Sequence, residues 1–136
     1  MKAHLEIKNS LPELERMAAH IEAFCREHDL DEEMAGDVRL ALDELITNII
    51  KHGYEDEEEH SIDVNLDFSP DSLTIRVEDD GIPFNPLDVE TVDVDVPFDE
   101  SSIGGWGIHL VKQIMDEANY QYVDGRNRLT LKKKRV

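Results

Sequence analysis

Glu44-Leu45-Ile46-Thr47-Asn48-Ile49-Ile50-Lys51-His52-Gly53-Tyr54 is the stretch from which the rest of the chain can be read. Leu45, Ile46 and Ile49 continue an apolar row begun by Met34, Val38 and Leu42. That spacing predicts a helix opened by a cap at Asp31 and ended by Gly53. Glu44 and Asn48 stand four residues apart and share one face, and Lys51 joins them three residues later. The stripe they form lies roughly opposite the apolar row. It reads either as the solvated side of an ordinary amphipathic helix or as a functional face. Asn48 argues for the second, because asparagine is a poor helix former that a merely structural surface does not favour. Its side-chain carbonyl is a hard oxygen ligand suited to magnesium, and a lysine beside it can offset phosphate charge.

Upstream, Ala3, Leu5 and Ile7 alternate as in a half-buried strand. Ser10 and Glu13 then form a capping-box pattern with Pro12 early in the helix that follows. Leu14, Met17, Ala18, Ile21, Phe24 and Cys25 carry that helix to about His28. Downstream, the acidic run 55–59 reads as a solvated loop. Ile62/Val64/Leu66/Phe68 and Leu73/Ile75/Val77 alternate on either side of Ser69-Pro70-Asp71-Ser72, which predicts a hairpin. Residues 79–104 have no clear period and carry three prolines and many carboxylates. A loop of that length in a small domain suggests a lid. A third helix is expected from Gly105 to Ala118, with Ile108, Val111, Met115 and Ala118 on one face. Tyr120–Val123 and Leu129–Leu131 then form a second hairpin around Asp124-Gly125-Arg126-Asn127. No repeat or linker divides residues 1–136, so a single domain is expected. Its class is α+β, a two-layer sandwich with helices on one face of a mainly antiparallel sheet.

Two more segments carry candidate chemistry. Val77-Glu78-Asp79-Asp80-Gly81-Ile82-Pro83 ends a strand. Asp79 there could accept a hydrogen bond from an exocyclic amine such as that of adenine, and Gly81 would permit positive φ and a close approach to a ligand. The plain alternative is a common turn. Gly104-Gly105-Trp106-Gly107 stands where the third helix begins. Glycines at that point leave backbone N–H groups free to cradle phosphate oxygens. The plain alternative is a hinge. Trp106 reads as a packing residue.

Composition narrows the partners. With 136 residues and a formal net charge of −18, the chain repels nucleic-acid backbones and anionic membranes, so neither is expected as a partner. The basic cluster Lys132-Lys133-Lys134-Arg135 reads as the solvated end of a strand. One cysteine, Cys25 on an apolar helix face, excludes an internal disulfide, and six scattered histidines show no metal-ligand spacing. The N-terminal stretch has no secretory pattern and no apolar run reaches the ~20 residues needed to span a bilayer. A cytoplasmic protein is expected.

Taken in order, Glu44 to Asn48 followed by Gly53-Tyr54, the strand-end Asp79-x-Gly81-x-Pro83 and the Gly104–Gly107 helix start resemble the ATP site of the GHKL superfamily. That superfamily includes gyrase, histidine kinases and mismatch-repair ATPases. The short length and the Glu-x-x-x-Asn pattern are most similar to bacterial anti-sigma-factor serine/threonine kinases, over nearly the whole chain to Leu131. The resemblance implies the GHKL (Bergerat) form of the two-layer sandwich, with ATP and Mg2+ as ligands. It implies Glu44 as the general base for the attacking hydroxyl and Asn48 as the magnesium ligand, with Lys51 near the phosphates. Asp79 would read the adenine amine, Gly81 and Pro83 would shape the pocket floor, and Asn127 would reach the adenine side. Gly104, Gly105 and Gly107 would face the phosphates. The implied role is partner switching: a homodimer that holds a sigma factor or other effector and phosphorylates a STAS-domain antagonist.

Two departures keep an alternative open. Residues 87–103 contain no Lys or Arg and carry Asp88, Glu90, Asp93, Asp95, Asp99 and Glu100. That favours a non-catalytic ATP-binding module which sequesters its effector. Lys51 could supply the missing cation. Its offset from Asn48 is more like that of histidine kinases, but those also need a helical dimerisation domain with a phosphoacceptor histidine, for which this chain has no room.

Overall fold

The alternating segments of the sequence become the strands of one antiparallel sheet, and the 3.6-period segments become helices laid on it. The computed structural model describes residues 2–54, 56, 58–83, 85 and 111–134. The elements are β1 (Lys2–Lys8), α1 (Glu13–Glu27), α2 (Glu32–His52), β2 (Ser61–Phe68), β3 (Ser72–Asp79), β4 (Glu117–Val123) and β5 (Arg126–Lys134). The sheet order is β1-β2-β3-β5-β4 and every pair is antiparallel. The α+β two-layer class read from the sequence is the one observed.

Period-2 geometry sends Ile7, Ile62, Val64, Leu66, Leu73, Ile75, Val77, Leu129 and Leu131 to the face that the helices cover. Met17, Ile21 and Phe24 from α1 and Val38, Leu42, Leu45 and Ile46 from α2 meet them in one buried cluster. Burying each such side chain contributes roughly 1.5–3 kcal/mol, so the two-layer packing is the main source of stability. α2 starts as its sequence predicts: the Asp31 carboxylate accepts from Met34 N at 2.7 Å. Asp124 and Gly125, at φ 54° and 75°, form the two-residue turn between β4 and β5. Positive φ at both turn residues matches the right-handed twist of the flanking strands.

Three local expectations change. The capping box at Ser10 does not form. Pro12 occupies the cap position without a side-chain bond, and the Glu13 carboxylate accepts from Lys8 N and Arg16. The Arg16 guanidinium, followed by the Lys8 N–H, lowers the Glu13 carboxyl to about 2. The third helix does not reach Ala118. Residues 111–114 are helical, and β4 has begun by Glu117. Strand pairing overrides the helical period there: Ala118 lies opposite Leu131, and Asp116 N donates to Lys132 O. Finally, the basic cluster is not uniformly solvated. Lys132 and Lys134 are exposed, but Lys133 falls in the inward phase of β5. Its ammonium donates to Ile114 O at 2.8 Å and pairs with Asp37 of α2 at 3.2 Å.

No described helix is long and apolar enough to cross a membrane. The proposed lid falls in 79–104, of which residues 84 and 86–104 lie outside the described residues, as do Gly104, Gly105 and Gly107.

Candidate nucleotide-binding site

The site begins with a break in the sheet's own pattern. Leu73, Ile75 and Val77 point inward along β3, and the next inward position is Asp79. On β5 the inward series is Leu131, Leu129 and then Asn127, directly opposite Asp79. Two polar residues therefore end a core row, at 5% and 7% exposure. Burying a carboxylate is costly unless it is hydrogen-bonded, and this one is. Asp79 Oδ1 accepts from Gly81 N at 2.9 Å and from Asn127 Nδ2 at 3.0 Å. Burial pushes the Asp79 carboxyl up, while the bonds from Asn127 and Gly81 oppose the shift. Oδ2 makes no hydrogen bond among the described residues.

The loop after β3 is fastened to the end of α2. Ile82 N donates to Gly53 O at 2.8 Å. This contact explains Gly81 differently from the sequence reading. Its φ is not positive; a Cβ there would lie 2.3 Å from Gly53 O and 2.9 Å from Asp79 Oδ1. The close approach that glycine permits is to α2. Ile82 and Pro83 are exposed at the mouth of this region.

On α2, Glu44 and Asn48 are half-buried and Lys51 is exposed. The polar stripe is thus not simply in water. Among the described residues the side chains of Glu44 and Asn48 make no hydrogen bond or ion pair. Burial raises the Glu44 carboxyl, Asp43 adds to the rise, and Lys51 pulls the other way. A carboxylate so placed holds a proton more readily than one in water. The donor set suits a nucleotide with magnesium: an uncommitted carboxylate oxygen for an amine, an uncommitted amide oxygen for a hard cation, and a lysine on the same face.

A second layer was not foreseen from the sequence. The Tyr54 ring stacks on His60, with centroids 4.2 Å apart. His60 Nε2 meets Asp56 at 2.7 Å and Nδ1 meets Asp80 at 3.1 Å. Asp56, Glu58 and His60 offer ligand atoms within 4.8 Å of one another, but both His60 nitrogens are already engaged by carboxylates. The Tyr54 hydroxyl is buried and has no hydrogen-bond partner among the described residues, and burial together with Asp79 and Asp80 holds its phenol well above the ordinary range. Tyr120 was also missed: its hydroxyl donates to Asn127 Oδ1. The signal for this group was present in part, since a polar residue in an inward strand phase implies a buried partner.

Comparisons with known proteins bear on the family and the fold. The chain is 34% identical over 96 residues to the serine-protein kinase RsbW of Listeria monocytogenes, an alignment covering 65% of this chain and 59% of that one. It is 29% identical over 115 residues to the anti-sigma F factor of Clostridium perfringens, covering 84% and 82%. The chain thus spans about three fifths of the RsbW relatives' length. Among solved structures, the RsbU and RsbW domains of Rv1364c from Mycobacterium tuberculosis superpose with a TM-score of 0.70. That match has 17% identity and covers 98% of this chain and 31% of the other, so it speaks to the fold alone. A family model described as the histidine kinase-like ATPase domain matches residues 7–133. That match takes in both helices, β2, β3, β4, nearly all of β5, the end of β1 and every candidate site residue, and the chain belongs to the histidine kinase-like ATPase domain family.

Proposed function

We propose that this protein binds Mg·ATP between the Glu44/Asn48 face of α2 and the end of β3, and acts as a cytoplasmic serine/threonine protein kinase of the anti-sigma-factor type. Its phosphoacceptor is a STAS-domain antagonist, its sequestered partner a sigma factor or other effector, and its working form a homodimer. The observation that carries the reading is the buried Asp79, whose Oδ2 is left as an acceptor at the end of a core row. A ligand's donor on that oxygen would offset part of the cost of burying the charge, which makes this end of the row a candidate ligand site.

Each residue then has a task. Asp79 accepts the adenine amine through Oδ2. Gly81 lets the loop close on α2, and Pro83 stiffens the loop beyond it. Asn48 offers its amide oxygen to magnesium, and Lys51 answers phosphate charge from the same face. Gly104, Gly105 and Gly107 supply backbone N–H groups to the phosphates. Bound Mg·ATP supplies the phosphoryl group and part of its charge neutralisation. Glu44 takes the proton from the attacking seryl hydroxyl as its oxygen bonds to phosphorus, while the bond from phosphorus to the departing ADP oxygen breaks. Positioning and charge placement dominate such transfers, so these few residues suffice.

A second reading, an ATP-binding module without phosphotransfer, is favoured by the acidic stretch 87–103 with no Lys or Arg. Glu44→Gln decides between them. The amide keeps shape but cannot take a proton, so ATP affinity should stay within a few-fold while phosphotransfer to a STAS protein falls about 10²-fold or more. Transfer by Glu44→Gln at the wild-type rate removes Glu44 as the base. Absence of transfer by the wild type to any STAS partner establishes the binding module.

A further inference from the structure

Asn127 does more than line the adenine end. It stands opposite Asp79 across the β3–β5 pair and is itself 7% exposed. Its amide nitrogen carries two hydrogens and faces three acceptors: Asp79 Oδ1 at 3.0 Å, Ile82 O at 2.9 Å and Gly81 O at 3.4 Å. Its amide oxygen accepts from the Tyr120 hydroxyl on β4, which lies opposite Leu129, the neighbouring inward position of β5. We infer that Tyr120 and Asn127 form a positioning pair that holds the Asp79 carboxylate in one orientation, with one oxygen tied to the protein and the other left to accept from a ligand, and thereby favours a purine carrying an amine over one carrying a carbonyl. This inference rests on the nucleotide-binding reading and deepens it.

The selection comes down to donors and acceptors. A carboxylate torsion is broad and its two oxygens are equivalent, so Asp79 by itself does not fix the angle at which an oxygen faces a ligand. Two donors, Gly81 N and Asn127 Nδ2, both bind Oδ1, and this leaves Oδ2 as the outward acceptor. The arrangement requires the Asn127 amide to keep its orientation. A reversed amide would set its oxygen against the Asp79 carboxylate and two backbone carbonyls, all acceptors, and would turn its N–H groups toward Tyr120. Those three acceptors exclude the reversal, and the Tyr120 hydroxyl, which can donate or accept, adds its proton to the Asn127 oxygen in the observed orientation. Both hydrogens of the Asn127 amide are committed within the protein, so Asn127 acts on a base through Asp79.

Charge enters at the same point. Only the ionised carboxylate is a pure acceptor; a protonated Asp79 could donate to a carbonyl and lose the discrimination. Donation from Asn127 favours the ionised form against the pull of burial. Loss of that donor therefore shifts both the base preference and its pH dependence, in a direction that simple loosening of the fold does not produce.

The test compares wild type, Asn127→Leu and Tyr120→Phe for binding of Mg·ATP and Mg·ITP, which differ at the purine 6-position by amine against carbonyl. Titration calorimetry between pH 5 and 8 gives both affinities, and circular dichroism confirms folding. Wild type should prefer ATP about tenfold or more, the value of one hydrogen bond to a charged group. Asn127→Leu should lose most of that preference through weaker ATP binding, keep ITP affinity within a few-fold, and require higher pH for its best ATP binding. Tyr120→Phe should move the same way by a few-fold. An unchanged ATP/ITP ratio and pH profile in a folded Asn127→Leu overturns the inference, as does equal loss for both nucleotides. If Asn127→Leu does not fold, an unchanged ratio and profile in Tyr120→Phe overturns it. Wild type binding ATP and ITP equally also overturns it while leaving nucleotide binding intact. Wild type binding neither refutes the nucleotide reading itself and removes the inference with it.

Discussion

Asp79→Asn should have two opposite consequences, and the structure fixes the sign of each. The replacement is nearly isosteric, and the introduced amide can keep its oxygen on Gly81 N and Asn127 Nδ2. Its nitrogen then occupies the place of Oδ2, so a donor faces the adenine amine where an acceptor stood. One charge-assisted hydrogen bond is worth about 1.5–3 kcal/mol, or roughly ten- to a hundredfold in affinity, and the donor–donor contact adds to the loss. Stability moves the other way. Burial raises the Asp79 carboxyl above its ordinary value of 3.8, so the folded protein holds a proton that the unfolded chain has released. Stability from this group is therefore greatest at low pH and is lost as pH rises through the folded value. At pH 7 the charged form is the poorer guest, and a neutral amide of the same shape relieves that penalty. Urea unfolding at pH 7 should show Asp79→Asn at least as stable as wild type, while calorimetry shows weak ATP binding. A variant that binds ATP like wild type refutes the role of Oδ2, and one that is clearly destabilised refutes the account of the buried charge.

His60 and Lys133 give two further tests. His60 is raised above its ordinary 6.5, first by its bond to Asp56 and then by Asp80, with the Tyr54 ring stacked against it. Its contribution is complete below about pH 6.5 and is lost as pH rises through the folded value, so denaturant midpoints should fall from pH 6 to 8, and His60→Gln should flatten that slope. Lys133→Met removes the bonds to Ile114 O and Asp37, each part-buried, and should cost about 1–2 kcal/mol in urea unfolding. An unchanged midpoint would show that β5 and α2 do not depend on this tie.

What the sequence made legible was local. The alternation in β2 and β3 and the row from Met34 to Ile49 fixed strands, helix and layer order, because each face had to be buried against the other. Asp31 could be read as a cap because its partner is three residues away. The failures are non-local. Ala118 fits a helical row as well as a strand, and only its pairing with Leu131 decides. Glu13 serves Lys8 N and Arg16, not the cap expected of it. In the candidate site, the strand-end place of Asp79 was legible, but the close approach at Gly81 is to Gly53, 28 positions back in the chain, and the Asn127 amide meets Tyr120 across a hairpin. Lys133 carries the same lesson as Asp79 and Asn127. A polar residue in an inward phase of β3 or β5 has a partner on another element, and the period shows the anomaly without naming the partner.

The proposed function requires that α2 and the end of β3 form an ATP pocket that works with magnesium. Titration calorimetry of the folded protein with ATP, in excess Mg2+ and again with a chelator, tests it most directly. One nucleotide should bind per chain, more weakly without Mg2+ and much more weakly to Asp79→Asn and Asn48→Ala. No binding of ATP to folded wild-type protein in the presence of Mg2+ would contradict the proposed function.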